Sequence, residues 1–107
     1  MTDLNDREKA FETKFAKDAE LQFKVTARRN RLLGHWVAEK LGLTAEEADT
    51  YAKEVIAADF EEAGEEDVFR KVMGDLVARG SDVSEHELRR VMDDKMVEAR
   101  RQFIEGV

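Results

Sequence analysis

Residues 19–42 read AELQFKVTARRNRLLGHWVAEKLG, and this stretch decides the fold class. Its apolar side chains recur every three or four residues, a spacing that places them on one face of an α-helix. The main row is Leu21, Val25, Leu32 and Trp36, and Leu33, Val37 and Leu41 widen it. Gly42 follows and predicts a helix end, because glycine readily adopts the left-handed conformation common there. We predict a helix over residues 19–41.

Three more helices are predicted downstream, over residues 45–63, 65–79 and 85–105. Thr44 with Glu47, and Ser84 with Glu87, have the capping-box spacing that begins a helix. Gly64 and Gly80 are expected to end the second and third helices. The expected buried stripes are Ala48, Tyr51, Ala52, Val55, Ile56 and Phe60 in the second helix, Val68, Phe69, Val72, Met73, Leu76 and Val77 in the third, and Leu88, Val91, Met92, Met96, Ala99 and Phe103 in the fourth.

Composition agrees with an all-α fold. Hydrophobic residues make up 42% of the 107-residue chain and charged residues 40%, and proline is absent. No segment alternates as a strand does, and the linkers are short, so we predict one compact four-helix domain over residues 19–107. Gly74, inside the third helix, costs about 1 kcal/mol relative to alanine. Either a neighbouring backbone approaches it closely or that helix is weak.

Charge and cysteine content exclude several classes of function. The net charge of −7 opposes binding to nucleic acid, whose phosphates would be repelled. The chain has no cysteine, which excludes disulfides and thiolate chemistry and fits a cytoplasmic location. No signal peptide and no apolar run long enough to cross a bilayer is present, so direct membrane insertion is not expected.

The first 18 residues differ from the rest because they hold few apolar groups among dense mixed charges. We interpret residues 1–18 as an N-terminal arm that is mobile when free and can become helical on a partner. Phe11 and Phe15 stand four residues apart on one helical face, and Ala19 and Phe23 continue the row. The alternative is that this row packs back onto the bundle.

The residue pattern does not predict an enzyme. His35 and Glu39 lie one turn apart and could share a metal, but two histidines are too few for a typical zinc site, and no metal site is predicted. His86 is expected to face water. The abundant carboxylates resemble a solvated surface, and neither histidine has a partner serine or threonine in a recognisable nucleophile motif. No catalytic residue is therefore predicted.

Arg28, Arg29 and Arg31 form the one basic cluster of the chain, with Lys24 a turn earlier. Arginine offers a two-pronged hydrogen-bond donor to a carboxylate or a phosphate. The cluster could therefore bind an acidic partner or a nucleotide phosphate. The alternative is pairing with acidic side chains of the same chain, which is the more common role of such residues.

Three separated blocks resemble the zeta-subunit family of alphaproteobacterial F-type ATP synthase inhibitors. They are DREKAFE with KFA at residues 6–12 and 14–16, TARRNRLLG at residues 26–34, and YAKEV with AADFEE at residues 51–55 and 57–62. The resemblance covers nearly the whole chain, including its length and helix order. It implies a four-helix domain preceded by an inhibitory arm.

In that family the arm enters a catalytic α/β interface of the ATP synthase head, near the central γ subunit. Carried onto this chain, the resemblance makes Phe11 and Phe15 apolar anchors, and the charged contacts would be Arg7, Lys9, Lys14 and Lys17. It also implies weak binding of ADP or ATP, for which Arg28, Arg29 and Arg31 are the candidates, and no other cofactor. The expected protein is a cytoplasmic regulator, peripheral to the membrane-bound synthase. The alternative is a nucleotide-sensing adaptor without catalytic activity.

Overall fold

In the computed structural model, the backbone is described for residues 3–60 and 64–104, and side chains for residues 19–60 and 64–103. Within these ranges the chain forms four α-helices: α1 (Asp3–Lys40), α2 (Ala45–Ala58), α3 (Glu66–Ala78) and α4 (Glu85–Ile104). The described backbone contains no strand, and the predicted all-α fold is confirmed. None of the described helices is both long and apolar enough to cross a membrane.

The helix bounds differ from the predicted ones at two places. Helix α1 begins at Asp3, and not near residue 19, so the helix is continuous across residue 18. The division of residues 1–18 from the domain stays a prediction. Helix α2 ends at Ala58, and the predicted end at residue 63 is wrong. Asp59 and Phe60 form a turn whose amides bond to the carbonyls of Ile56 and Ala57, three residues back, which tightens the helix end. Residues 61–63 lie outside the described backbone, as does residue 105, the predicted end of the fourth helix.

The start of α2 has the predicted capping box. The Thr44 hydroxyl accepts a hydrogen bond from the Glu47 amide at 3.2 Å, and the Thr44 amide donates to the Glu47 carboxylate at 3.0 Å. At the start of α4, the Ser84 hydroxyl accepts from the Glu87 amide at 3.1 Å. At the start of each helix, a backbone amide therefore has a side-chain hydrogen-bond acceptor three residues earlier, as the sequence predicts.

Two helices end on the predicted glycines in the same way. Gly42 and Gly80 have φ angles of +70° and +74°. The next residue donates back to a carbonyl five positions earlier, from Leu43 to Ala38 and from Ser81 to Leu76, each at 2.9 Å. This is the Schellman arrangement, which reverses the chain in few residues and so permits the short connections of the bundle.

Helix α1 is the centre of the packing, since it lies mainly against α2 and α4, while α3 makes smaller contacts with all three. The core cluster is Leu33, Val37, Tyr51, Val55, Val68, Val72, Leu76, Val83, Leu88 and Met92. Its members come from every helix, and Val83 adds the α3–α4 connection. One continuous core therefore holds the described part of the domain together.

The buried face of α1 is rotated from the predicted one. Leu33 and Val37 are fully buried, whereas Leu32 and Trp36 are half-buried and Leu21 is exposed. Adjacent apolar pairs satisfy the helical period equally well, so periodicity alone cannot choose between them. Phe60 and Val77 were also predicted to be buried and are exposed. Phe60 lies beyond the end of α2, and Val77 lies on the outer side of α3.

Helices α1 and α2 approach each other closely at Gly34. A Cβ atom built on Gly34 would lie 2.6 Å from the Cα atom of Ala52 and 3.1 Å from its Cβ atom. Only a hydrogen at this position allows the two backbones to come so near. Gly74 has no such neighbour within 4 Å of a built Cβ, so the close-approach explanation for that glycine is wrong.

Candidate partner-binding site

The residues predicted to bind a partner lie on the N-terminal part of α1. They are Arg7, Lys9, Phe11, Lys14, Phe15 and Lys17. Their side chains lie outside the described residues, so their roles stay predictions. The side chains of residues 19–24 come next and are all exposed. Ala19 and Phe23, which continue the row of Phe11 and Phe15, are therefore not buried in the core of the bundle.

Contact between α1 and the core begins at Val25, the first buried residue among the described side chains. One turn later Arg29 and Asn30 are buried, with 2% and 1% of their surfaces exposed. The helix thus meets the bundle about two turns after residue 18, the predicted end of the arm. The part of α1 that leaves the domain includes residues 19–24.

A polar network fixes α1 where it enters the bundle. The Arg29 Nε atom donates to Asn30 Oδ1 at 2.7 Å, and Arg29 Nη1 donates to Glu65 Oε2 at 3.2 Å. The Asn30 Nδ2 atom donates to Asp59 Oδ2 at 2.9 Å. Asp59 and Glu65 flank the connection from α2 to α3. These bonds therefore tie the exit point of α1 to both ends of that connection.

The surroundings of Asp59 disfavour the charged form of its carboxyl group. Burial raises the pKa of its carboxyl above the ordinary value, and the hydrogen bond from Asn30 and the charge of Arg29 only partly oppose this effect. The neighbouring carboxylates of Asp67 and Glu65 raise the pKa further. Beside Asp59 and Arg29 lies an open cleft of about 460 Å³, which Thr26 and Met96 also line.

The three arginines predicted to hold a nucleotide do not converge. Arg28 donates from Nη1 to Gln102 Oε1 and lies over the Phe103 ring, 5.1 Å from its centroid, so it packs against α4. Arg29 is buried in the network with Glu65. Arg31 is exposed and lies beside His35 and Asp49, towards α2. Successive helical residues point about 100° apart, so three nearly adjacent arginines cannot share one direction.

A shallow cavity of about 340 Å³ lies between α1 and α2 beside Arg31. His35 and Lys53 line it together with Asp49, and His35 Nε2 lies 3.4 Å from Asp49 Oδ1. Among residues with described side chains, no three His, Asp or Glu groups come together as a metal site would require. His86 is exposed, as predicted.

An aromatic pair stands on the surface where α1 leaves the bundle. Phe23 of α1 is 59% exposed and Phe60, after α2, is 69% exposed. Their ring centroids are 6.1 Å apart and the ring planes are inclined by 41°. Both rings line a small cavity of about 160 Å³, and Ala27 and Ile56 are also in its lining. We call these four residues the aromatic patch.

Sequence reasoning missed both the polar network and the aromatic patch. Each joins residues of α1 to residues about 30 positions later, a contact that local periodicity cannot reveal. One signal was available: Phe60 directly follows Asp59, and aspartate has low helix propensity and favours turns. That signal favours a turn, and it would have placed Phe60 outside the buried stripe of α2.

Comparison with known proteins identifies related chains. A family model described as ATPase inhibitor subunit zeta matches residues 1–102. A chain with a solution NMR structure is 49% identical in sequence, with a TM-score of 0.71. The match covers 81% of the present chain and 99% of that one. No curated protein gives a significant match.

Proposed function

Because this chain belongs to the ATPase inhibitor subunit zeta family, we propose that it inhibits ATP hydrolysis by the catalytic head of a bacterial F-type ATP synthase through its N-terminal arm. The arm, residues 1–18, would enter a catalytic α/β interface close to the γ subunit. The family match carries this proposal, since it includes the arm and is not confined to the bundle. The protein would be regulatory and non-catalytic, and peripheral to the membrane-bound enzyme in the cytoplasm.

The exposure of residues 19–24 supports a helix-in-groove mode of binding. An amphipathic helix that projects from a bundle can lay its apolar face into a cleft of another protein. Ordering each residue of an isolated segment costs about 1–2 kcal/mol, so the arm needs apolar anchors to offset that cost on the partner. Phe11 and Phe15 supply those anchors in the proposal.

The charged arm residues have a secondary role in this proposal. Aromatic anchors usually contribute most of the binding free energy, while charges at an interface rim contribute less and steer the encounter. Arg7, Lys9, Lys14 and Lys17 would therefore guide the arm towards acidic surface at the mouth of the interface. Adding salt should weaken this contribution first.

A direction-selective effect follows from the rotary nature of the partner. The rotor turns in opposite senses during hydrolysis and synthesis, so each catalytic interface passes through its conformations in opposite order. An arm that binds one of those conformations more tightly stabilises it against the next step. In the proposal this stops hydrolysis, and rotation in the synthesis direction expels the arm.

The test is the double variant Phe11→Ala with Phe15→Ala in the full-length chain. Hydrolysis by the cognate enzyme is measured against inhibitor concentration. Loss of the two anchors should cost about 2 kcal/mol or more, which raises the half-inhibitory concentration about 30-fold. Val97→Ala is the matched control, because Val97 is an exposed apolar residue on α4, 54% exposed. It should leave inhibition unchanged.

A second variant, which lacks residues 1–18, tests the whole arm and not only its two aromatic anchors. It should fail to inhibit while retaining the helical circular dichroism of the bundle. If both the double variant and the shortened chain inhibit as strongly as the full chain, the arm is not the inhibitory element. If the full chain itself does not inhibit its cognate enzyme, the proposed function is wrong.

The alternative, an adenine-nucleotide-sensing adaptor, is favoured by one observation. The cavity beside Arg31 brings a second cationic residue, Lys53, and a histidine, His35, to one site on an acidic protein. These groups could contact a nucleotide phosphate. Titration with ADP, followed by amide chemical shifts, distinguishes the hypotheses. Shifts confined to residues 31–35 and 49–53 would support the adaptor, and no shifts would contradict it.

A further inference from the structure

The aromatic patch exposes two phenyl rings that the bundle does not need for its own core. Leu21, Phe23, Phe60, Val77 and Val97 are the large apolar residues exposed among the described side chains. Of these, Phe23 and Phe60 are in ring contact with each other, at 6.1 Å between centroids. Exposed apolar side chains that touch one another, unlike ones scattered singly, can mark a site of contact with another protein.

The surroundings of the patch indicate an apolar occupant. Lys24, next to Phe23, is paired with Glu20 at 3.3 Å, so its charge is balanced among the described side chains. The Asp59 carboxylate, next to Phe60, accepts a hydrogen bond from Asn30 and is directed towards the network. The cavity of about 160 Å³ beside the rings is lined by Phe23, Ala27, Ile56 and Phe60, together with the polar residues Thr26, Asn30 and Asp59. It has the size and character to take one aliphatic side chain.

The area of the patch argues against a second copy of this chain as its occupant. An aromatic side chain has roughly 150–250 Å² to bury, so the exposed parts of two rings offer on the order of 200–300 Å². A stable interface buries about 800 Å² on each partner. The patch is too small to hold a partner by itself and fits the margin of a larger interface.

The position of the patch identifies that interface. Phe23 lies eight residues after Phe15 on α1, about 12 Å along the helix axis, and in the part of α1 that leaves the bundle. A cleft that receives Phe15 and continues about 12 Å along the helix axis reaches Phe23. Phe60 then meets the same partner, because its ring lies against that of Phe23.

We propose that Phe23 and Phe60 form a second anchor point, which binds an aliphatic side chain of the synthase head just outside the cleft that receives the arm. This inference rests on the proposed function. The second anchor point adds to the proposed function because it assigns part of the binding to the bundle. Phe60 belongs to the connection after α2 and not to the arm. The patch fixes how far the arm can enter, because the bundle docks when the rings reach the partner.

The experiment compares Phe60→Ala, Phe23→Ala and the double variant with the full-length chain in the hydrolysis assay. Each single change should raise the half-inhibitory concentration by about 10-fold, and the double change by less than the product because the rings are in contact. Val77→Ala, at an exposed residue of α3, is the control and should have no effect. Circular dichroism and thermal unfolding establish that each variant is folded. Phe60→Ala is decisive, since Phe60 lies outside the helices.

The outcomes separate this inference from the proposed function. If the full chain inhibits and Phe11→Ala with Phe15→Ala weakens inhibition as expected, but the patch variants inhibit normally, only the second anchor point is wrong. If the patch variants change self-association in sedimentation experiments and leave inhibition intact, the occupant is a second copy and the inference is overturned. A full chain that never inhibits overturns the proposed function first.

Discussion

Replacing Gly34 with alanine tests a close contact between helices α1 and α2. The added Cβ would lie 2.6 Å from Ala52 Cα and 3.2 Å from its amide nitrogen. Overpacking costs about 1–3 kcal/mol, and the cost here is at the upper end, because the obstructing atoms are backbone and α1 and α2 must separate. Alanine is better than glycine in a helix by about 1 kcal/mol, which offsets part of that cost. We expect Gly34→Ala to be less stable by about 2 kcal/mol.

Gly74 provides the matched control for this substitution. It also lies inside a helix, but a Cβ built there meets nothing within 4 Å. Gly74→Ala should therefore gain the full helix propensity, about 1 kcal/mol. Equilibrium denaturation should then separate the two variants by about 3 kcal/mol, equivalent to roughly 12–24 °C in Tm for a domain of this size. Equal stabilities, or a Gly34→Ala protein more stable than the parent, would refute the close-packing argument.

Two further substitutions test the polar groups. Since burial raises the pKa of Asp59, its charge destabilises the fold above the folded-state pKa, and this penalty disappears as falling pH protonates the group. Asp59→Asn should therefore be more stable than the parent at pH 7. In denaturation experiments the difference in unfolding free energy should shrink towards pH 4, and a difference that does not change with pH would contradict a raised pKa at Asp59. Tyr51→Phe removes the hydroxyl that donates to Asp75 Oδ2 at 2.7 Å. It should lower the unfolding free energy by about 1–2 kcal/mol, and no change would show that water replaces this bond.

The sequence was sufficient for features that depend on neighbouring residues. The capping box of Thr44 and Glu47 joins residues three apart, and the reversal at Gly42 depends on one residue that tolerates positive φ. Such signals are local and have one geometrical solution. The four-helix fold follows from them, because caps, stops and apolar spacing agree in each segment.

Features that depend on the relative placement of helices could not be predicted in the same way. Leu32 and Leu33 fit the apolar row of α1 equally well, and packing against both α2 and α4 decides in favour of Leu33. Arg29 belongs to a basic cluster in the sequence, yet it is buried because Glu65 is brought within 3.2 Å. A buried charge requires a partner, and that partner is visible only in three dimensions.

The burial of Arg29 bears on how the domain could present an arm. A helix that leaves a bundle transmits any force on its free part to the last residues that the bundle holds. Apolar contacts such as Val25 resist separation but have no preferred direction, whereas hydrogen bonds have narrow geometry. The bonds of Arg29 and Asn30 to Glu65 and Asp59 therefore fix the angle at which α1 leaves the domain. Phe23 and Phe60 lie beside that fixed point, so a partner that binds the arm would meet the aromatic patch in one orientation.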